Sequence, residues 1–261
     1  MKKLFLVVLY KTLIKDSKTC QFIKSSDLLC DEDNTIYIWD NSPTDINSEY
    51  NVKHFFSKGT IVYKHTPENK SLSIIYNTII KQYSGYDAIQ FFDQDSYIQK
   101  SNYNEYLNSI LTKNPSINLF LPKIYSNGCL YSPGKLIVFK GFHYKMLKKG
   151  VNKKRNFTAI GSGILFRPFF CIKNDIFISE ELKLYSVDTD FIYKITKRNN
   201  KFFLLDVIFD HDLSEVNLDL LGAKKRRKEQ LENLLIIYKD EKIKYILTLL
   251  YIRLLKLLKM V

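Results

Sequence analysis

Four pairs of aspartates in the sequence are separated by a single residue, a spacing that can bind a metal ion. They are Asp31/Asp33, Asp93/Asp95, Asp188/Asp190 and Asp210/Asp212. Asp93 and Asp95 directly follow an apolar run at residues 88–92, which is typical of a buried strand. Two carboxylates at the end of such a strand can hold a divalent cation, which can bridge to a diphosphate. The alternative is a solvated turn with an aspartate cap, which is favoured for the pair Asp31/Asp33 in its polar loop.

The pair Asp188/Asp190 stands where a helix is expected to begin, since apolar residues follow it at helical spacing. Acids at a helix N-terminus are ordinarily caps, although a cap requires only one of them. An acid at the edge of a pocket can also take a proton from an attacking hydroxyl group, which is general-base catalysis. Both interpretations are open for this pair.

Two more polar residues follow predicted strands. Asp40 follows the run at residues 35–39, and His211 stands near the end of the run at residues 202–208. A single histidine is more often structural than a metal ligand. A histidine on the same sheet edge as two metal-binding acids, however, favours the interpretation as a ligand.

Apolar runs rich in β-branched and aromatic residues predict strands that are buried on both faces. They lie at residues 4–10, 35–39, 88–92, 118–121 and 202–208. Apolar residues at helical spacing predict helices at residues 71–83 and 104–112. The alternation predicts an α/β fold with a mainly parallel sheet. Ligands bind at the carboxyl ends of the strands in such sheets, which is where Asp40, Asp93, Asp95 and His211 lie.

The composition excludes several classes of protein. Of the 261 residues, 46% are hydrophobic and 14% aromatic, which rules out a disordered chain. No GxGxxG or GxxxxGK[ST] motif follows a predicted strand, which argues against a dinucleotide-binding protein and a P-loop enzyme. The cysteines form no CxxC pair, so they indicate neither a zinc site nor a disulfide framework, and we expect them to be reduced in the cytoplasm.

The charge and the hydropathy limit the partners. Forty Lys and Arg against 27 Asp and Glu give a net charge of +13, which is typical of proteins that bind nucleic acid, anionic lipid or phosphorylated substrates. Residues 4–10 imitate a signal peptide, but Lys11 ends the run and no small-residue cleavage site follows, so we expect a buried strand. No stretch approaches the ~20 apolar residues of a membrane-spanning helix.

Residues 216–261 are predicted to form a basic, amphipathic helical tail, with helices at residues 223–238 and 242–261. On a projection of the second helix, Lys242, Arg253, Lys256 and Lys259 gather on one side, and apolar residues, mostly leucine, fill the other. Such a helix can lie in a membrane interface and be attracted to anionic lipid. The alternative is a helix that packs on the rest of the protein or on a partner subunit.

The order and spacing of these motifs are similar to those of a known family. In chain order the motifs are residues 4–10, Ile38-Trp39-Asp40-Asn41-Ser42, Pro67-Glu68-Asn69 with Tyr76-Asn77, Phe91-Phe92-Asp93-Gln94-Asp95-Ser96, Gly161-Ser162-Gly163, Val187-Asp188-Thr189-Asp190-Phe191 and His211. Over about residues 1–215, the set resembles family 2 glycosyltransferases of the GT-A fold. Within that family, the strings around Asp93 and Asp188 are most similar to bacterial rhamnosyltransferase-like enzymes of surface polysaccharide synthesis.

The resemblance implies a Rossmann-like, mainly parallel sheet flanked by helices, followed by the helical tail. Residues 1–96 would form the half that binds the nucleotide sugar, and residues 97–215 the acceptor half of the catalytic domain. On the donor side, it implies that Tyr10, Asp40 and Asn69 lie at the nucleotide.

The resemblance also implies a metal site and a catalytic base. Asp93 and Asp95 would bind the diphosphate through Mg²⁺ or Mn²⁺, with Asp95 favoured as the direct ligand and His211 completing the site. Asp188 stands at the position of the base. The acceptor side would contain Gly161, Ser162, Gly163 and Asp190.

The implied reaction is inverting transfer of a sugar from a nucleotide-diphosphate donor to a hydroxyl group of a saccharide or lipid-linked acceptor. The enzyme would lie in the cytoplasm, attached to the inner face of the cell membrane through the tail. Two other functions stay open. One is a nucleic-acid-binding protein that uses the basic run at residues 224–228, although no RRM, KH or zinc-finger pattern supports it. The other is a metal-dependent hydrolase that uses Asp188.

Overall fold

The computed structural model describes residues 1–126, 129–144, 146–210 and 220–258. In chain order, the strands are β1 (Lys3–Leu9), β2 (Asn34–Asp40), β3 (Thr60–His65), β4 (Ala88–Asp93), β5 (Tyr97–Ile98), β6 (Leu119–Ser126), β7 (Cys129–Ser132), β8 (Gly134–Ile137), β9 (Lys140–His143), β10 (Gly150–Lys153), β11 (Phe157–Thr158), β12 (Leu165–Phe166) and β13 (Lys201–Asp210). The α-helices are α1 (Lys18–Ser25), α2 (Glu49–Phe56), α3 (Leu72–Gln82), α4 (Tyr103–Lys113), α5 (Pro168–Lys173), α6 (Val187–Arg198), α7 (Leu220–Ile237) and α8 (Lys242–Leu257). Two 3-10 helices lie at Ile14–Asp16 and Asp27–Cys30.

Four parallel strands form one half of the main sheet. β1 pairs with β2 on one side and with β4 on the other, and β3 extends the sheet beyond β2. Leu4, Phe5, Leu6 and Val7 are fully buried, because helices cover both faces of the sheet. The apolar runs predicted as strands at residues 4–10, 35–39 and 88–92 are confirmed as β1, β2 and β4.

The other half of the sheet mixes strand directions. The strand order is β10-β13-β6-β12-β4-β1-β2-β3, and β12 runs antiparallel between β4 and β6. β6 and β13 are parallel neighbours and confirm the strands predicted at residues 118–121 and 202–208. The longest pairings are parallel, so the predicted α/β fold with a mainly parallel sheet is confirmed.

A second, smaller sheet was not predicted from the sequence. It consists of β11, β8 and β9 in that order, with antiparallel pairing. Each of these strands has four residues or fewer, and all four residues of β9 are exposed. Such short strands leave no hydrophobic periodicity that the sequence could reveal.

Alternate residues of β1 face two hydrophobic clusters on opposite sides of the sheet. Phe5 and Val7 pack in one cluster with residues of α1, α2 and α4. Leu4 and Leu6 pack in the other, with residues of α3, α5, α6, α7 and α8. This division follows from strand geometry, since successive side chains point to opposite faces.

The described helices of the C-terminal extension, α7 and α8, contribute to the second of these clusters. Leu231 and Leu234 of α7 and Ile252 and Leu255 of α8 are buried there together with residues of α6. Tyr238 lies in the connection between the two helices, and its hydroxyl donates a hydrogen bond of 2.7 Å to the carbonyl oxygen of Val138, just after β8. The extension therefore packs on the rest of the chain through one of its faces.

Ion pairs hold the start of α8 against α6. The Glu241 carboxylate contacts Lys197 and Lys244, and Lys244 also donates a hydrogen bond to the Tyr193 hydroxyl. Burial alone would raise the pKa of Glu241, but hydrogen bonds from Lys197, Lys244 and Tyr193 lower it to about 2. Glu241 is therefore charged at neutral pH and complements the two lysines.

A second face of α8 is apolar and exposed. Ile243, Leu250, Leu254 and Leu257 are 77%, 54%, 50% and 81% exposed, whereas the buried residues lie on the opposite side of the helix. Within the described part of the chain, no helix has both the length and the hydropathy needed to cross a bilayer.

A pair of substitutions in α8 tests its packing. Ile252→Ala should lower the free energy of unfolding by about 2–4 kcal/mol, because it leaves a cavity in the core. Leu257→Ala removes an exposed side chain and should change it by no more than about 0.5 kcal/mol. Chemical denaturation of both variants measures the difference. Equal, small effects would show that α8 does not pack on the domain in solution.

Candidate active site

A cleft of about 1150 Å³ opens at the carboxyl ends of β1 and β4. Its lining comes from the loops after β1 and β4, helix α3, the small sheet with β7 and the start of α6, and helices α7 and α8. Among the residues predicted to form a site, Tyr10, Asp93, Asp95, Gly161 and Asp188 line this cleft. The fold thus brings together side chains that lie up to 178 residues apart in the sequence, from Tyr10 to Asp188.

The loop that carries Asp93 and Asp95 is held by hydroxyl groups. Thr19 of α1 donates to the Asp93 carbonyl oxygen and accepts a hydrogen bond of 3.0 Å from the Ser96 amide. The Asp93 amide donates to the Ser162 hydroxyl over 3.2 Å. Backbone contacts at both ends therefore fix the loop, and both acids are partly buried in the cleft wall.

The segment of Gly161, Ser162 and Gly163 connects the two acidic positions. The buried Ser162 hydroxyl contacts both the Ser96 hydroxyl and the Asp93 amide. The Gly161 amide donates to Asp188 Oδ2 over 3.2 Å. Gly163 has a φ of +81°, and a Cβ atom there would lie 2.3 Å from the Phe209 ring, so only glycine fits.

Asp188 lies in the first turn of α6, partly buried in the cleft. Its Oδ1 accepts a hydrogen bond of 2.7 Å from the Thr189 amide, and its Oδ2 accepts the bond from Gly161. Burial raises the pKa of Asp188 above its usual value, and these hydrogen bonds oppose the shift only in part. A carboxylate with a raised pKa is better suited to accept a proton from a hydroxyl group.

Asp190, two residues later, has different surroundings. It is fully buried and does not line the cleft. Its Oδ2 accepts hydrogen bonds from the Ser179 amide at 2.7 Å and from Lys194 at 2.8 Å. The structure therefore places Asp190 in the interior, where it ties the segment before α6 to that helix.

Asp40, predicted to contact the nucleotide, also lies in the interior. Its Oδ1 accepts from the Ser42 amide at 3.0 Å, and its Oδ2 accepts from Asn47 at 2.7 Å and from the Tyr63 hydroxyl at 3.2 Å. It is fully buried and shapes the loop after β2. Asn69 is exposed outside the cleft lining, and its side-chain oxygen accepts a hydrogen bond from Asn41.

Solved structures with a similar fold identify the architecture. TarS 1-349 from S. aureus is 18% identical, with a TM-score of 0.63 over 91% of this chain and 65% of that chain. This chain thus spans slightly less than two thirds of TarS 1-349. The complex of TarS 1-349 with UDP-GlcNAc gives a TM-score of 0.64 at 17% identity, over 91% of this chain and 66% of that chain. GalNAc-T7 with UDP, GalNAc and Mn²⁺ gives 0.59 at 11% identity, over 80% and 43%.

The chain has the GT-A glycosyltransferase fold. The GT-A fold predicted from the sequence motifs is thereby confirmed. No protein-family model matches the sequence, and no curated protein sequence matches it.

The acid pair of this GT-A domain suits a divalent cation bound together with a ligand. Asp93 and Asp95 offer carboxylate oxygens in the cleft, the ligand type that Mg²⁺ and Mn²⁺ prefer. Within the described residues, no three His, Cys, Asp or Glu side chains form a cluster that could hold a metal alone. Mg²⁺ is commonly held by one or two carboxylates, with phosphate and water completing its coordination, so the pair fits such an ion. His211 lies outside the described residues.

Sequence reasoning missed several residues of the cleft. Tyr76 of α3 lines it and stacks on Phe91 with ring centroids 4.0 Å apart. Burial raises the pKa of Tyr76, and the charges of Asp93 and Asp188 raise it further, so its hydroxyl keeps its proton near both acids. The sequence places Tyr76 in a predicted helix and among the family motifs, but assigns it no role in the site.

The basic run of α7 also reaches this cleft. Arg226 and Arg227 line it, together with Gln230 of the same helix and Tyr251 of α8. From the sequence, a nucleic-acid site at this run stays open only as an alternative, and no place in the cleft is predicted for it. Its position at the cleft depends on how α7 packs, which no local pattern reveals.

Proposed function

We propose that this protein is a glycosyltransferase that moves a sugar from a nucleotide-diphosphate donor to a hydroxyl group of a saccharide acceptor. The observation that carries the proposal is that one cleft of a GT-A fold contains Asp93, Asp95 and Asp188. The structures of TarS with UDP and with UDP-GlcNAc support a nucleotide-sugar donor.

The donor would lie against the loops after β1 and β4. Tyr10 would contact the nucleotide, and Asp40 would support the pocket by holding the loop after β2, with Asn69 beyond it. Asp93 and Asp95 would hold Mg²⁺ or Mn²⁺, with Asp95 as the direct ligand and His211 as a further candidate. The bound cation would stabilise the negative charge of the departing diphosphate.

Asp188 would act as the base of an inverting reaction. Its carboxylate takes the proton of the acceptor hydroxyl as that oxygen bonds to the anomeric carbon of the donor. The bond between the anomeric carbon and the diphosphate oxygen breaks on the opposite side, and a nucleoside diphosphate leaves. The Gly161 and Thr189 amides keep the carboxylate oriented. On the acceptor side, Gly161 would form part of the adjoining wall, and Ser162 and Gly163 would support it from behind.

We further propose attachment to an anionic membrane surface, the inner face of the cell membrane, through the exposed face of α8. Ile243, Leu250, Leu254 and Leu257 form an apolar surface on this face, and the cations Lys242, Arg253 and Lys256 are exposed beside it. An amphipathic helix with flanking cations suits an interface of anionic lipid. This position suits a lipid-linked acceptor in bacterial surface polysaccharide synthesis.

Asp95→Ala tests the metal assignment. This substitution should lower transfer at least about tenfold and remove the stabilisation by UDP that depends on Mn²⁺, because a cation ligand is lost. Thermal shift with UDP, with and without Mn²⁺, measures the second effect. Glu32→Ala is a matched control, since Glu32 is an exposed acid at the opposite end of the sheet. Metal-dependent UDP binding that survives in Asp95→Ala would refute the assignment.

Asp188→Asn tests the base. The amide can accept a hydrogen bond but no proton, so turnover should fall about 10²-fold or more while donor binding persists. In the unchanged enzyme, kcat/KM should decline as pH falls through the pKa of Asp188, which lies above the ordinary value of about 3.9. This acidic limb should be absent from the residual activity of the variant.

Asp190→Asn is the control, and it should lower the melting temperature because its buried contact with Lys194 weakens. The base would be wrongly assigned if this variant were inactive at unchanged stability and Asp188→Asn were active. NMR of the product's anomeric centre tests inversion, and retention would contradict it. Release of free sugar in the presence of an acceptor would instead indicate a hydrolase.

Flotation with vesicles tests the membrane surface. The triple variant Leu250→Ser, Leu254→Ser, Leu257→Ser should lose about tenfold or more in affinity for phosphatidylcholine vesicles containing phosphatidylglycerol, because apolar burial is lost. Salt should weaken binding of the unchanged protein without abolishing it, since only the cationic contribution is screened. Tyr50→Ser with Phe169→Ser, two exposed rings elsewhere, is the control. Equal flotation of all three proteins would refute the proposal.

A further inference from the structure

The charged side chains that line the cleft fall into an acidic and a basic group along the sequence. Residues 1–96 contribute two acids to its described lining, Asp93 and Asp95, and no lysine or arginine. The described lining after residue 96 contains Lys135, Lys140, Arg226, Arg227 and a single acid, Asp188. This mainly basic group of side chains is therefore suited to an anionic ligand.

Aromatic side chains position the two arginines of α7. The Arg226 guanidinium lies 4.8 Å from the ring centroid of Tyr185, three residues before Asp188. Arg227 donates a hydrogen bond of 3.1 Å to the Tyr251 hydroxyl. Tyr251 in turn stacks on Phe139 with ring centroids 3.9 Å apart. These contacts restrict both guanidinium groups before any ligand binds.

The helix that carries the arginines is anchored on the acceptor half. Asn233 of α7 donates a hydrogen bond of 2.9 Å to the Tyr185 carbonyl oxygen. Leu231 and Leu234, one and two turns beyond Arg227, are buried in the core. The arginines thus stand on a fixed element beside the segment that leads into Asp188.

We infer that Arg226 and Arg227 bind a phosphate group carried by the acceptor. The inference rests on the proposed function, in which Asp188 marks the acceptor side. Two adjacent guanidinium groups offer forked donors that match phosphate oxygens. The aromatic partners of the two arginines are Tyr185, in the half assigned to the acceptor, and Tyr251 of α8. The donor diphosphate, by contrast, is assigned to Asp93 and Asp95.

The phosphate could come from a soluble sugar phosphate or from a lipid diphosphate that carries a saccharide. The hydrogen bond between Arg227 and Tyr251 joins this site to α8, whose exposed leucines form the proposed membrane surface. A lipid-linked phosphate would reach the arginines from that side. Both sources share the same chemistry at the arginines, and the experiment separates them.

Calorimetry on the full chain tests the inference, with UDP and Mn²⁺ held at saturation to fill the donor end. The unchanged protein should bind glucose 1-phosphate more tightly than methyl glucoside or glucuronate. Arg226→Gln with Arg227→Gln should weaken that binding about tenfold to a hundredfold, because charged hydrogen bonds are lost. Lys225→Gln with Lys228→Gln is the control, because it makes the same change in charge on exposed residues outside the cleft. This control should leave the binding of glucose 1-phosphate unchanged. Arg226→Lys with Arg227→Lys should give an intermediate loss, since charge remains without the fork.

A second arm uses phosphatidylcholine vesicles with and without a polyprenyl diphosphate. The source is a lipid if the unchanged protein prefers vesicles with the diphosphate and the double variant Arg226→Gln with Arg227→Gln loses that preference. The source is soluble if the protein binds glucose 1-phosphate but shows no such preference. The inference is overturned if the glutamine pair leaves phosphate binding unchanged, if glucuronate binds as tightly, or if the pair weakens UDP binding instead. If the unchanged protein binds glucose 1-phosphate but neither UDP nor other nucleotide diphosphates, the proposed function fails while the arginine site stands.

Discussion

The close packing of the main chain at Gly163 is the constraint on which the site depends. A Cβ atom at this position would lie 2.3 Å from the Phe209 ring and 2.7 Å from Pro122, so any other residue would force the segment away from the sheet. With glycine, the Gly163 amide donates to the Phe91 carbonyl oxygen at 2.7 Å. That approach places Ser162 on the Asp93 amide and Gly161 on Asp188. One contact between backbone and β4 thus sets the relative position of the two acids.

The comparison of Asp40 with Asp93 shows how far the sequence predicts such a site. Both acids end buried parallel strands of the same sheet, and the apolar runs predicted both positions. Later residues enclose Asp40, since the Ser42 amide and the side chains of Asn47 and Tyr63 all donate to it. Asp93 lines the cleft instead. Strand ends follow from local patterns, but the choice between a structural and a cleft-lining acid depends on long-range contacts that no pattern contains.

Helix α8 shows the same limit for amphipathic patterns. The helical projection of the sequence predicts one basic side and one apolar side. It does not predict what covers the apolar side. The helix has three different faces: Ile252 packs in the core, Leu250 is exposed, and Tyr251 lines the cleft. Adjacent positions differ by 100° around a helix, so three successive residues can serve three environments. The short strands β11 and β12 were unpredictable for another reason, since two residues carry no period.

If the proposed function and the inferred acceptor site both hold, the cleft must bind phosphate groups of two different molecules and keep them apart. Asp93 and Asp95 repel a diphosphate unless a divalent cation lies between them, whereas Arg226 and Arg227 attract phosphate directly. A donor without its cation would therefore be attracted to the arginines, outside the donor site proposed at Asp93 and Asp95. The acids thus contribute to specificity by excluding the acceptor's phosphate from the donor end as well as by binding the cation. Removing their charge would let both phosphate groups compete for either end, so selectivity depends on repulsion as much as on attraction.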